Sequence, residues 1–198
     1  MQMNKREFLG GAAILGAASL AVPAPLRAAV DNGLRTTSVY NVLDFGAKGD
    51  GKTPDSEAIQ KAMDAAGAVS GTVYLPAGSY LCHDLKIQPH TTVLAEPQWG
   101  YSGSAGAILI LDSDEADCLL NITGAFGAHL CGLCLQGRPE AKKAIHGVFL
   151  NNAQNYSPRE DSIVIDDCKI GRFSGHGVRL LRIWVFLLRR NIMQGNKG

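Results

Sequence analysis

Over most of this chain apolar residues come in short runs, each closed by Gly, Asn, Asp, Pro or Ser. The runs are Thr72 to Leu75, Tyr80 to Cys82, Leu85 to Ile87, Thr92 to Leu94, Ala107 to Leu111, Cys118 to Ile122, Leu130 to Leu135, Val148 to Leu150, Ile163 to Ile165 and Ile183 to Leu188. Runs of strand length bounded by turn formers predict a nearly all-β chain. One stretch follows a different period. Ala58, Ile59, Ala62, Met63 and Ala66 fall at i, i+1, i+4, i+5 and i+8, with Glu57, Gln60, Lys61 and Asp64 mostly opposite. That spacing predicts an amphipathic helix between Thr53 and Ala68. Thr53 is its expected cap, Pro54 suits the first helical position, and Asp55 and Glu57 put negative charge near the positive end of the helix dipole.

The short runs also repeat. His146-Gly147-Val148-Phe149-Leu150 and His176-Gly177-Val178-Arg179-Leu180 share H-G-V-x-L at a separation of 30 residues. Ile163 to Ile170 lines up with Phe186 to Met193 at a separation of 23. Units of this size, each too small to bury its own apolar face, are the signature of a solenoid. The loop from Asn151 to Asp161 is expected to project from one coil and to account for the difference between 30 and 23. Only ten residues follow Leu188, and no polar cap covers the last apolar rung. A solenoid needs such a cap, so the expectation is a chain that is C-terminally incomplete or that self-associates through its uncapped end.

The first residues differ in kind. Lys5-Arg6 precedes an Ala/Gly-rich apolar run from Phe8 to Val22, then Pro23, Pro25, Ala28 and Ala29. This is the layout of an export signal, with cleavage preferred after Ala28. Lys5-Arg6-Glu7-Phe8-Leu9 is similar to the twin-arginine pattern, with Lys for the first Arg. The expected organisation is a signal peptide at 1–28 and a β-helix domain at 36–198, in a periplasmic or extracellular protein. The apolar run is shorter than the roughly 20 residues that span a bilayer, so no stable membrane insertion is expected once the signal is removed.

Composition and charge narrow the partners. Nineteen basic residues against eighteen acidic ones leave a net charge of +1, which gives no electrostatic case for binding nucleic acid. Twenty-three glycines in 198 residues suit many short elements joined by tight turns. The five cysteines lie at 82, 118, 131, 134 and 168. Cys131 and Cys134 form C-x-x-C within a strand-like run, without a second pair to complete a zinc site, and read as small buried hydrophobes.

Gly46 to Thr53 matches the phosphate-loop pattern G-x-x-x-x-G-K-T, which carries meaning only between a strand and a helix. A nucleotide-binding enzyme is the remote alternative. The export signal, the single helix and Asp50 within the loop oppose it. The same letters belong to a longer signature. Asp44 to Gly51, Asp55, Ala58 to Ala62 and Gly71-Thr72-Val73-Tyr74-Leu75-Pro76-Ala77-Gly78-Ser79-Tyr80 together resemble the opening of the pectate lyase superfamily, in its rhamnogalacturonase and epimerase-like branch. The resemblance implies a right-handed parallel β-helix with an N-terminal capping α-helix. It further implies a polysaccharide partner, and action as a lyase or glycoside hydrolase on uronate-containing glycans, or as a non-catalytic carbohydrate-binding protein. It implies calcium as a possible cofactor, if the protein is a pectate-type lyase.

The signature carries no catalytic residues, so candidates come from elsewhere. Asp166-Asp167 and Gly175-His176-Gly177 resemble the D-D and G-H-G motifs of polygalacturonases, in which paired carboxylates act as acid and base. The separation of nine positions from Asp167 to His176 is short of a coil, and H-G recurs at 146 and 147, as a turn position does. Arg179, within the basic group Arg172, Arg179, Arg182, Arg189 and Arg190, is a candidate base or substrate clamp. The site candidates are therefore Asp166, Asp167, His176 and Arg179.

Overall fold

The structure, a computed structural model, describes residues 38–98, 100, 105–153 and 160–198. The export signal expected at 1–28 lies outside the described residues, as does the middle of the loop expected from Asn151 to Asp161.

Strands β1 (Val39–Asn41) and β2 (Asp50–Pro54) lead into helix α1 (Ser56–Gly67). Four coils follow, each made of three strands. They are β3 (Thr72–Leu75), β4 (Gly78–Cys82) and β5 (Leu85–Lys86); β6 (Thr92–Ala95), β7 (Ala107–Leu111) and β8 (Cys118–Asn121); β9 (His129–Cys131), β10 (Cys134–Gln136) and β11 (His146–Asn151); and β12 (Ile163–Asp166), β13 (Lys169–Gly171) and β14 (Val178–Leu181). Strands β15 (Phe186–Arg189) and β16 (Ile192–Gln194) begin a further turn. Strands of successive coils pair in parallel into three sheets. Sheet A runs β1-β3-β6-β9-β12-β15, sheet B runs β2-β4-β7-β10-β13-β16, and sheet C runs β5-β8-β11-β14. The chain is a parallel β-helix.

Register turns the sequence repeat into columns of side chains. Val148 pairs with Val178 at the 30-residue separation, and Ile163 with Phe186 at 23. One inward column on sheet A is Val73, Val93, Leu130, Ile165 and Leu188. On sheet B it is Tyr80, Leu109, Leu135, Ile170 and Met193, and on sheet C Leu85, Leu120, Val148 and Val178. The core columns are sealed through the fourth coil of sheets A and B, and the last members, Leu188 and Met193, are 37% and 45% exposed. At the other end α1 turns Ile59, Ala62, Met63 and Ala66 onto the first coil and buries all four.

Three elements differ from the pattern-based expectation. Helix α1 starts at Ser56, because Thr53 and Pro54 belong to β2. Asp55 stands at the N-cap position, but its side chain caps nothing in the helix. Its carboxylate accepts the N–H groups of Lys48 (2.7 Å) and Gly49 (3.1 Å) instead. The run Leu130 to Leu135 is two strands, split at Gly132, whose φ of +70° turns the chain from sheet A to sheet B. The run beginning at Ile183 enters its strand only at Phe186, after left-handed residues at Arg182 and Val185.

Candidate functional site

The outward side of sheet C presents a column made by register alone: Lys86, Asn121, Phe149 and Arg179 on four successive strands. Parallel pairing stacks equivalent side chains about 4.8 Å apart, so this column is a continuous strip. Lys86 and Arg179 are exposed, and Asn121 and Phe149 are half-buried. The guanidinium of Arg179 lies 5.9 Å from the centre of the Phe149 ring, within cation–π range.

Two histidines complete the C-terminal part of the strip. His146 opens β11 and is only 5% exposed. Its ring stacks on His176 at 5.4 Å and 14°, and on Phe149 at 5.5 Å and 18°. The H-G-V-x-L repeat causes this, because residues one repeat apart land one above the other. His146 Nδ1 accepts the backbone N–H of His176 at 3.0 Å, and its Nε2 lies 3.0 Å from Arg179 Nη1. Burial, followed by the charge of Arg179 and by His176, lowers the His146 pKa, with Asp117 opposing. His146 therefore stands as a neutral ring at ordinary pH.

The four site candidates separate into two places. His176 and Arg179 meet on sheet C. Asp166 and Asp167 sit where β12 turns into β13, and no hydrogen bond or ion pair between described residues joins the two groups. Asp166 is 3% exposed. Its Oδ2 pairs with Arg189 (2.7 Å) and Arg190 (2.8 Å), while its Oδ1 is buried without a partner. Asp167 receives two hydrogen bonds from Arg190, at 2.7 and 2.9 Å, and these hold its carboxyl below the usual range. Arg189 and Arg190 are thus paired locally, and Asp167 and Arg190 both occupy left-handed turn positions stacked in line with Gly132. The sequence signals missed His146, Phe149 and Lys86. The recurring H-G dipeptide marks His146 and was available as a clue.

The phosphate-loop letters form a closed turn. Besides the two amides held by Asp55, those of Lys52 and Thr53 donate to Asp50 Oδ1, each at 2.8 Å. The amides of Lys48, Gly49, Lys52 and Thr53 are thus taken by the chain's own carboxylates. Gly49 has φ +60°, and a Cβ there would come within 2.9 Å of the Tyr80 ring, so glycine at this position serves packing. The five cysteines are free thiols. Burial raises Cys134 to about 11, and raises Cys131 as well, which leaves the C-x-x-C pair protonated.

Calcium was a conditional expectation. Among the described residues no three His, Cys, Asp or Glu side chains converge to hold a metal. Asp117, the carboxylate beside His146, is paired with Lys143 at 2.8 Å. No helix among the described residues is long and apolar enough to cross a membrane.

Comparison with known proteins adds to this geometry. Residues 39–97 match the family model described as rhamnogalacturonase A/epimerase, pectate lyase-like. The chain is 34% identical over 153 residues to mannuronan C5-epimerase AlgE5 of Azotobacter vinelandii, an alignment covering 70% of this chain and 15% of that protein. It is 71% identical over 42 residues to alginate lyase 7 of the same organism, covering 21% of this chain and 5% of that one. Among solved structures, the A-module of the A. vinelandii mannuronan C-5 epimerase AlgE6 superposes with a TM-score of 0.64 at 25% identity, over 79% of this chain and 44% of that one. The chain thus spans 5% and 15% of the length of these two curated relatives. Signature, coils and similarities agree, and the chain belongs to the pectate lyase-like parallel β-helix superfamily.

Proposed function

We propose that this chain is an exported, uronate-polysaccharide-active β-helix that binds its polymer along the outer strip of sheet C. The observation that carries the reading is the register-built column Lys86, Asn121, Phe149 and Arg179. Cations spaced along a strip suit a polymer with a carboxylate on each sugar. An aromatic ring and an amide between them suit the apolar and hydroxyl faces of the sugar ring. The relatives support the substrate class, since mannuronan and alginate are uronate polymers.

C5-epimerisation and β-elimination share one step, removal of the proton at C5 beside the carboxylate. A cation on that carboxylate stabilises the charge that develops, and Arg179 is the group placed to supply it. Hydrolysis by Asp166 and Asp167 is not part of this proposal, because both carboxylates are engaged by Arg189 and Arg190.

The full-length chain is expected to be retarded in gels cast with mannuronan and not in gels cast with a neutral glucan. Arg179→Ala is expected to weaken the retardation about tenfold. Mannuronan incubated with the protein in D2O and followed by NMR would show deuterium at C5, and absorbance would show any unsaturated product. Equal mobility in mannuronan and neutral glucan would end the proposal; retardation without deuterium uptake would reduce it to a binding module.

A further inference from the structure

Two asparagines at the ends of sheet C strands are held the same way round. The backbone N–H of Thr123 donates to Asn121 Oδ1 at 2.9 Å, and the backbone N–H of Ala153 donates to Asn151 Oδ1 at 2.9 Å. A backbone N–H only donates, so the amide atom facing it is the oxygen. Each side chain closes an Asx turn where its strand leaves the sheet and keeps both Nδ2 hydrogens. Neither Nδ2 has a hydrogen-bond partner among the described residues. The Asn151 N–H donates to Thr123 Oγ1 at 3.0 Å, which ties the two turns together.

Both asparagines are half-buried and belong to the outer strip. Asn121 pairs with Phe149. Asn151 lies two positions beyond Phe149 on β11, and alternate residues of a strand share a face. Lys86 and Arg179 carry donors and no acceptor, so the four polar side chains Lys86, Asn121, Asn151 and Arg179 all offer N–H groups. Such a surface discriminates by what its ligand can accept. An ionised carboxylate brings two oxygens, no hydrogen and a charge that strengthens each bond. Its methyl ester brings no charge.

We propose that Asn121 and Asn151 are specificity residues, fixed as donors by their Asx turns, that give Nδ2–H to carboxylate oxygens of the polymer and so select ionised uronate over its ester. The assignment rests on the reading of sheet C as a uronate-binding strip and sharpens it. The two cations supply attraction at long range, and the two amides test the sugar at contact.

Two substitutions at Asn121 remove the donor and keep the turn. Asn121→Asp leaves a carboxylate oxygen for the Thr123 N–H and turns its other oxygen to the strip. Asn121→Ser keeps a hydroxyl for the same N–H without adding charge. Calorimetry of the full-length chain with mannuronate oligomers is expected to show about tenfold weaker binding for Asn121→Ser and a larger loss for Asn121→Asp. Methyl-esterified oligomers are expected to bind weakly and alike to wild type and Asn121→Ser. Thermal melts report whether each variant is folded. In 15N-labelled protein, mannuronate oligomers are expected to shift the side-chain amide resonances of Asn121 and Asn151 saturably.

Folded Asn121→Ser and Asn121→Asp variants that bind as wild type does would overturn the assignment and leave the polysaccharide reading resting on Lys86 and Arg179. Amide resonances that stay in place while oligomers bind would overturn it too. An equal loss for Asn121→Ser with the methyl ester would overturn the carboxylate as the group read. A wild-type chain that binds no oligomer would remove the polysaccharide reading, and the assignment with it.

Discussion

Asp55 is the residue on which the entry to the solenoid turns. Its carboxylate holds the amides of Lys48 and Gly49, its N–H donates to the Leu81 carbonyl at 2.7 Å, and its carbonyl accepts from Ile59 N–H at 3.0 Å. One side chain thus ties the turn before β2 to the start of α1. Asp55→Ala leaves two part-buried donors without acceptors, and each is worth about 1–3 kcal/mol when stranded. A drop of that order in urea unfolding free energy is expected; unchanged stability would mean that water replaces the carboxylate. At His146 the expected effect is on pH dependence. Burial first, then Arg179 and His176 on the β14 side, lower its pKa, against Asp117 on the β8 side. The unfolded chain takes up the proton near the ordinary value of about 6.5, whereas the folded chain resists it. The His146 contribution is complete above that pH and is lost as pH falls from there toward the lower folded value. His146→Asn should flatten the dependence of the unfolding midpoint on pH in that acidic window, and an unaltered slope would assign it to another group.

The coil is the working unit at the scale of elements, and its inward columns carry the stability. Leu109 lies in the middle of the sheet B column, fully buried between Tyr80 and Leu135. Leu109→Ala is expected to lose about 2–5 kcal/mol, read from chemical denaturation, because rungs fixed above and below limit how far the cavity closes. A loss well under that range would show that the coils relax around a missing side chain. Much at this scale was legible in the chain. Most short runs became strands with ends shifted by a residue or two, and the helical stripe of Ile59, Ala62, Met63 and Ala66 is the buried face of α1. The corners were harder. Gly132 takes a left-handed turn that its residue type suggests, but Asp167 and Arg190 take the same turn in the next coils without a glycine. Those residues are held there by a polar network, in which Asn191 accepts from the Cys168 N–H at 2.9 Å and donates to the Ile165 carbonyl at 2.9 Å. Such a turn is written in contacts between coils, which local propensity does not record.

The solenoid at the scale of the whole molecule converts distances along the chain into neighbours across it. The 30- and 23-residue separations were readable in the letters, and they are the registers of sheets C and A. Their consequence for chemistry was less readable. A histidine recurring at the repeat period looks like a turn position, yet recurrence is what lays His146 against His176 and puts Arg179 beside His146. Lys86 and Asn121 were invisible as partners of Phe149 because they lie in coils whose spacing is irregular. His129 pairs with Thr92 across 37 positions, whereas Thr92 pairs with Thr72 across 20. Loops between strands absorb that variation while the sheets stay in step. The outer strip therefore works as a ruler. Lys86 and Arg179 are three rungs apart, about 14 Å at 4.8 Å per rung, and a rigid backbone on both sides keeps that interval fixed. If the strip binds uronate chains as proposed, an oligosaccharide shorter than the interval would touch one cation or the other and only a longer one would be held at both, so the fold itself would select for chain length.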